Sequence, residues 1–134
     1  MKKQYTDLHA ISGIKEKMPA LEVFPNQYKD YVITIEIPEY SSICPRSGLP
    51  DCGKLTLKYI PGKYCLELKS LKFYILAYRN LGIFYENAVN KILGDLVTAV
   101  KPKWAYIKGE FTPRGGISTC VEKTIGKPGR PGKA

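Results

Sequence analysis

Cys44 and Asp51 bound the run Cys44-Pro-Arg-Ser-Gly-Leu-Pro-Asp51, which sets a thiol and a carboxyl on either side of a turn-forming Gly48-Leu-Pro50. A thiol attacks as its thiolate, so its ordinary pKa of about 8.5 must fall if it is to react at neutral pH. Arg46 offers positive potential nearby. The single histidine, His9, lies upstream of Cys44 and none follows it, which excludes a Cys-His pairing of the protease kind. Proton chemistry then falls to a carboxylate. Asp51 is the nearest, and it has two readings: a turn aspartate capping a local amide, or an acid whose pKa is lifted above about 3.9 by burial and by a neighbouring thiolate. In the second case the two groups titrate as a coupled pair.

Lys69 and Lys72 stand one helical turn apart, and Arg114 sits in Thr112-Pro-Arg-Gly-Gly116. These cations are either solvated surface residues or a site for an anion, since a helix start favours negative charge. No Gly-x-Gly-x-x-Gly follows a strand, so a Rossmann-type nucleotide site is not expected. Cys52, Cys65 and Cys120 read as small buried hydrophobes. With no Cys-x-x-Cys and one histidine, no metal site is expected.

These residues need a scaffold. Tyr31-Val-Ile-Thr-Ile-Glu-Ile37 is β-branched and partly alternating, which predicts a strand closed by Pro38. Leu55, Leu57 and Tyr59 alternate with Thr56 and Lys58, predicting a second strand that ends at Pro61-Gly62. The loop between them carries Cys44 and Asp51. Helices are expected over about 70–80 and 84–100, joined at Leu81-Gly82 with Gly82 as C-cap. The second presents Phe84, Ala88, Val89, Ile92, Leu93, Leu96, Val97 and Val100 on one apolar face. Beyond Pro102, a strand over Trp104–Phe111 and another over about Ile117–Val121 complete the order strand, strand, helix, helix, strand, strand. This is an α+β domain, an antiparallel sheet with helices on one face. Four strands leave two edges, and pairing those edges between copies in a ring removes them, so a homo-oligomer with sites between subunits is expected.

At 134 residues the chain reads as a single domain over 1–134, with an N-terminal segment over about 1–25 and a flexible basic tail over about 122–134. The tail ends in the Gly- and Pro-rich run Gly126-Lys-Pro-Gly-Arg-Pro-Gly-Lys-Ala134, which has nothing to pack. The N-terminus lacks the apolar stretch of a signal peptide, and no run of about 18 apolar residues occurs, so a cytoplasmic protein with no membrane partner is expected. The formal net charge of +9 favours an anionic partner: nucleic acid, a phosphorylated cofactor or an acidic surface.

The Cys44–Asp51 loop, Glu67-Leu-Lys-Ser-Leu-Lys-Phe-Tyr74, Arg79-Asn80, Phe84-Tyr-Glu86, Phe111-Thr-Pro-Arg-Gly-Gly-Ile117 and Gly126-Lys-Pro-Gly129 follow one another in the chain. Together they resemble the 7-cyano-7-deazaguanine reductase (QueF) family in its short, single-domain form, from about Tyr31 to Gly129. The resemblance implies a tunnelling fold assembled as two stacked pentamers, a homodecamer. It implies reduction of the nitrile of 7-cyano-7-deazaguanine to a primary amine with two NADPH, toward queuosine in tRNA. Cys44 would attack the nitrile carbon to form a thioimide and Asp51 would supply the proton. Glu67 and Glu86 would hold the guanine-like base, a carboxylate suiting its N1–H and 2-amino donors, with main chain around Leu66 to Leu68 adding contacts. Lys69, Lys72 and Arg114 would complement the phosphates of NADPH. Tyr85 stands where many relatives have histidine, beside the base-binding glutamate.

Three other readings compete. The related QueF-like amidinotransferase acts on the nitrile in tRNA without NADPH, but is expected to lack the Glu-x-Lys-Ser-x-Lys signature present here. A non-catalytic RNA-binding module would use the basic residues with interleaved aromatics, and would not depend on Cys44. The zinc-dependent GTP cyclohydrolase of the same fold needs metal ligands with no match in this chain. The signature favours the reductase, with no stable nucleic-acid partner.

Overall fold

A computed structural model describes residues 6–126. Its chain order is α1 (Asp7–Ile11), β1 (Val23–Pro25), β2 (Ile33–Ile43), β3 (Pro50–Ile60), β4 (Tyr64–Leu66), α2 (Leu68–Leu76) with a following 3-10 turn (Ala77–Asn80), α3 (Tyr85–Val100), β5 (Trp104–Arg114) and β6 (Ile117–Gly126). β2, β3, β5 and β6 form one antiparallel sheet in that order, and the short β1 and β4 pair separately. The fold is α+β, as the sequence pattern predicts.

Alternation decides which side of the sheet is covered. Leu55, Leu57 and Tyr59 on β3 and Ala105, Ile107 and Phe111 on β5 point to one face. Against it lie Ala88, Val89, Ile92, Leu93, Leu96 and Val100 of α3 and Leu71, Tyr74 and Ile75 of α2, all in one buried cluster. α3 ends because Lys101 turns left-handed, with φ 51°, and Pro102 follows. Among the described residues no helix is long and apolar enough to cross a membrane.

Of the three cysteines expected to be buried, only Cys65 is; Cys52 and Cys120 point outward from β3 and β6 and are exposed. Four expectations about the elements also need correction. Pro38 does not close the first strand: β2 runs on to Ile43 through a register shift between Ile37 and Tyr40. Proline lacks an N–H, and a bulge on an outer strand is where that lack is tolerated. In consequence Asp51 is not in a loop but in β3, paired with Ser42. Gly82 is no helix cap; the chain leaves the 3-10 turn through the extended Leu81, and Gly82 bridges Ile43. Residues 122–126, expected to begin a flexible tail, continue β6, where β-branched Thr124 and Ile125 pair with Tyr106 and Ala105. The remainder of that expected tail, 127–134, lies outside the described residues.

Candidate active site

Backbone bonds fix the thiol. The Cys44 N–H donates to the Leu49 carbonyl and the Gly48 N–H to the Cys44 carbonyl, both at 2.9 Å, closing a tight turn between β2 and β3. Gly48 has φ 74°, a region that favours glycine. One residue earlier, Ile43 donates to the Leu81 carbonyl at 2.9 Å and accepts from the Ile83 N–H at 3.0 Å. Because residues 81–83 lead directly into α3, this clamp holds Cys44 beside the helix start that carries Tyr85 and Glu86.

Four elements thus converge on one cavity of about 240 Å³, bounded by Cys44, Asp51, Tyr85, Glu86 and Arg114. Asp51, second in β3, is 8% exposed. Arg114, last in β5, donates to the Pro50 carbonyl and stands 3.7 Å from the Asp51 carboxylate. Tyr85 stacks on Phe111 with ring centroids 4.1 Å apart and planes 19° off parallel, and its hydroxyl donates to Thr119 Oγ1 at 3.3 Å. Phe111 lies against Gly53 and Gly109; a Cβ at either would come within 2.8 Å of its ring.

The electrostatics move the two key groups toward each other. Burial pushes the Cys44 thiol up, but hydrogen bonds from the Ser47 side chain and the backbone of Ser47 and Arg46 outweigh it, and the thiol ends below its ordinary value although the Asp51 charge opposes this. Burial pushes Asp51 up; Arg114 opposes, Glu86 adds, and the carboxyl ends above the usual aspartate range. A thiol biased toward thiolate beside a carboxyl biased toward its acid form can attack an electrophilic carbon and protonate the atom next to it.

The other candidate residues lie elsewhere. Glu67 is the N-cap of α2, its two carboxylate oxygens accepting from the amides of Lys69 and Ser70 at 2.8 and 2.7 Å, and those bonds hold its pKa down. This carboxylate occupies the helix start, for which the sequence pattern left open either solvated lysines or a bound anion. Leu66 is buried, its N–H donating to the Tyr59 hydroxyl at 2.8 Å, while Leu68 is exposed. Leu68 and Lys72 line a separate, largely apolar cavity of about 340 Å³ against Ile35 and Ile37 of β2. Within one chain, none of residues 66–72 reaches the Cys44 cavity. Arg114, grouped by its charge with the lysines, instead belongs with Asp51. Neither Lys69 nor Lys72 is in a salt bridge among the described residues.

Two contributors escaped the sequence pattern. Ser47 supplies two of the three hydrogen bonds that lower the Cys44 thiol, and its place in a Gly-containing turn after the cysteine was the available signal. Phe111 carries the Tyr85 ring, a contact across two elements with no local signature. Among the described residues no group of three or more His, Cys, Asp or Glu could hold a metal ion.

Fold and cavity define a small α+β protein with a thiol and a buried carboxyl poised for covalent chemistry. A solved structure titled as the archaeosine synthase QueF-Like in the apo form superposes with a TM-score of 0.69 over 75% of this chain and 98% of that one; at 21% identity it speaks for the fold alone. The family model for QueF-like proteins matches residues 50–130. The chain is 55% identical to an NADPH-dependent 7-cyano-7-deazaguanine reductase of Elusimicrobium minutum, over 87% of this chain and 89% of the relative. It is 60% identical to the protein of the same name in Chloroherpeton thalassium, over 78% and 92%. The chain belongs to the QueF family.

Proposed function

We propose that this protein is an NADPH-dependent oxidoreductase that reduces the nitrile of 7-cyano-7-deazaguanine to the primary amine of 7-aminomethyl-7-deazaguanine, a step toward queuosine in tRNA. The observation that carries this reading is the Cys44 thiol, held low, beside the Asp51 carboxyl, held high, in one cavity. The names of relatives at 55% and 60% identity supply the substrate and the cofactor. The cavity of about 240 Å³ suits a compact bicyclic base, below the roughly 300–1,000 Å³ of drug-sized sites.

Cys44 Sγ adds to the nitrile carbon while Asp51 gives its proton to the nitrile nitrogen, forming a thioimide bound to the enzyme and leaving Asp51 ionised. The covalent step turns a poor hydride acceptor into a better one and divides one barrier into smaller ones. NADPH, when bound, supplies one hydride to carbon in each of two reduction steps. After the first, the nitrogen takes a further proton, the carbon–sulfur bond breaks, and Cys44 leaves as thiolate. The pair thereby returns to its starting ionisation once Asp51 regains a proton. Lys69 and Lys72, exposed and one turn apart, are suited by charge to the phosphates of the cofactor.

The segment 66–72 reaches the reacting thiol through assembly. β2 and β6 are the outer strands of the four-stranded sheet, and head-to-tail pairing of β2 on one copy with β6 on the next closes a ring, here two stacked pentamers. In that ring Glu67 with the main chain of Leu66 to Leu68 from one subunit faces Glu86 and Tyr85 of another, and the two carboxylates accept from the base. The enzyme acts in the cytoplasm on a free small molecule, without a stable nucleic-acid partner.

The test mixes protein, 7-cyano-7-deazaguanine and NADPH and follows cofactor absorbance, with oxidation dependent on the nitrile expected; none under any condition overturns the reading. Without NADPH, intact mass spectrometry should find the substrate added to the chain, and an unchanged adduct on Cys44→Ala would place the chemistry elsewhere.

A further inference from the structure

Ser42 is 0% exposed and Tyr40 1% exposed. Neither Ser42 Oγ nor the Tyr40 hydroxyl makes a hydrogen bond of good geometry among the described residues, although the two hydroxyls lie close enough for Ser42 to act on the Tyr40 phenol. Alanine and phenylalanine would fill the same space without burying an unpaired donor, so packing alone gives no reason for either hydroxyl. Their place in the sheet does. The irregularity at Pro38 and Glu39 leaves two successive exposed residues and resets the alternation of β2, so that Tyr40 and Ser42 turn to the buried face. Asp51 turns to the same face of β3, and its register partner is Ser42. Directly paired residues of an antiparallel ladder have Cβ atoms about 4.5–5.5 Å apart, which a serine hydroxyl spans toward a carboxylate by rotation about χ1. Tyr40 is braced behind Ser42, its ring 6.1 Å from Phe111 edge-on and 5.8 Å from Tyr78.

We infer that Ser42, backed by Tyr40, is a positioning residue for Asp51: its hydroxyl donates to the carboxylate that Asp51 becomes when it gives up its proton, and the Tyr40 hydroxyl donates in turn to Ser42 Oγ. The inference rests on the proposed reductase reading. A protonated Asp51 needs one donor fewer, so Ser42 is called on as a donor only once the proton has left. Once ionised in a site that is 8% exposed, the carboxylate has Arg114 on one side and no second donor unless Ser42 turns to it. The other ionisable groups facing Asp51 are Glu86 from α3, Cys44 from the turn and Tyr40 itself. Glu86 and Cys44 as thiolate both oppose ionisation, so a neutral donor is the available counterweight. Burial raises the Tyr40 phenol far above its ordinary value, outweighing a hydrogen bond with Ser42 that lowers it, and the Asp51 charge adds to the rise, so this hydroxyl keeps its proton throughout.

Ser42→Ala and Tyr40→Phe each delete one hydroxyl and add no volume. With full-length protein, kcat and KM are measured across pH alongside the thermal midpoint. Removing a donor to the ionised form moves the Asp51 limb of the kcat profile to higher pH. The expected result for Ser42→Ala is that shift with the maximal kcat of the profile down about tenfold, KM unchanged and the midpoint equal to or above wild type. Tyr40→Phe should give the same pattern, smaller, and Ser42→Thr, which keeps the hydroxyl, should return the limb toward wild type. An unmoved limb in both deletions of an enzyme whose wild type turns over overturns the inference, and so does a lowered midpoint with an unmoved limb, which makes the hydroxyls structural. A wild type that never oxidises NADPH overturns the functional reading instead, and this inference with it.

Discussion

The thiol of Cys44 should alkylate with a pH midpoint below that of free cysteine, because the Ser47 side chain and the turn amides outweigh burial. Ser47→Ala removes one of those donors and should raise the midpoint, whereas Asp51→Asn removes an opposing charge and should lower it; iodoacetamide rates read by mass spectrometry check both. Asp51 also leaves a mark on stability. Its folded pKa is raised, so between the unfolded value of about 3.9 and the folded one the native state binds the extra proton, and stability falls as pH rises through that window. Asp51→Asn should therefore melt above wild type at pH 7 and level with it below about pH 3, while turnover drops about 10²–10⁴-fold, the share of a general acid. An Asn variant that melts lower at pH 7 would mean that the Arg114 contact, not burial, governs this carboxyl. The thiol and the carboxyl were readable as a pair from one motif. The partnership of Arg114 with Asp51 was not, because it arises only when the β5–β6 hairpin folds alongside β3.

Among the elements, β3 and β5 set the floor of the cavity through what they omit. Gly109 faces Leu55 across the ladder, and a Cβ there would stand 2.8 Å from the Phe111 ring and 2.9 Å from Val89 Cγ2. Gly109→Ala should destabilise by about 1–3 kcal/mol, the range for overpacking a core, and should lower turnover by tilting Phe111 and the Tyr85 stacked on it. Thermal melts with steady-state rates measure the two effects together; an unchanged melt would show that Phe111 yields freely. Periodicity alone revealed α3, since its apolar residues recur every three or four positions, and likewise the core of β3. It could not reveal that β2 survives Pro38, because a bulge changes the alternation that the eye follows. Nor did it reveal β1 and β4, three residues each, too short for a period to register.

At the level of the molecule, the cavity of Cys44 and Asp51 lies apart from the segment with Glu67, Lys69 and Lys72, and the proposed function joins the two across subunits. A shared site makes inactive variants complement one another. Cys44→Ala and Glu67→Gln, each inactive alone, should regain about a quarter of wild-type activity per possible site when unfolded and reassembled together, as random neighbours in a ring require. Absence of any recovery, with ring size intact by light scattering, would put both halves on one subunit. The clamp at Ile43 has a consequence for how such an enzyme can change over time. The thiol is held by main-chain bonds to Leu81, Ile83 and Leu49, and of the turn's side chains only Gly48 is demanded by backbone shape. Walls of the cavity can therefore drift by mutation without displacing the Cys44 sulfur, so descendants of this scaffold could present the same thiol to a different electrophile.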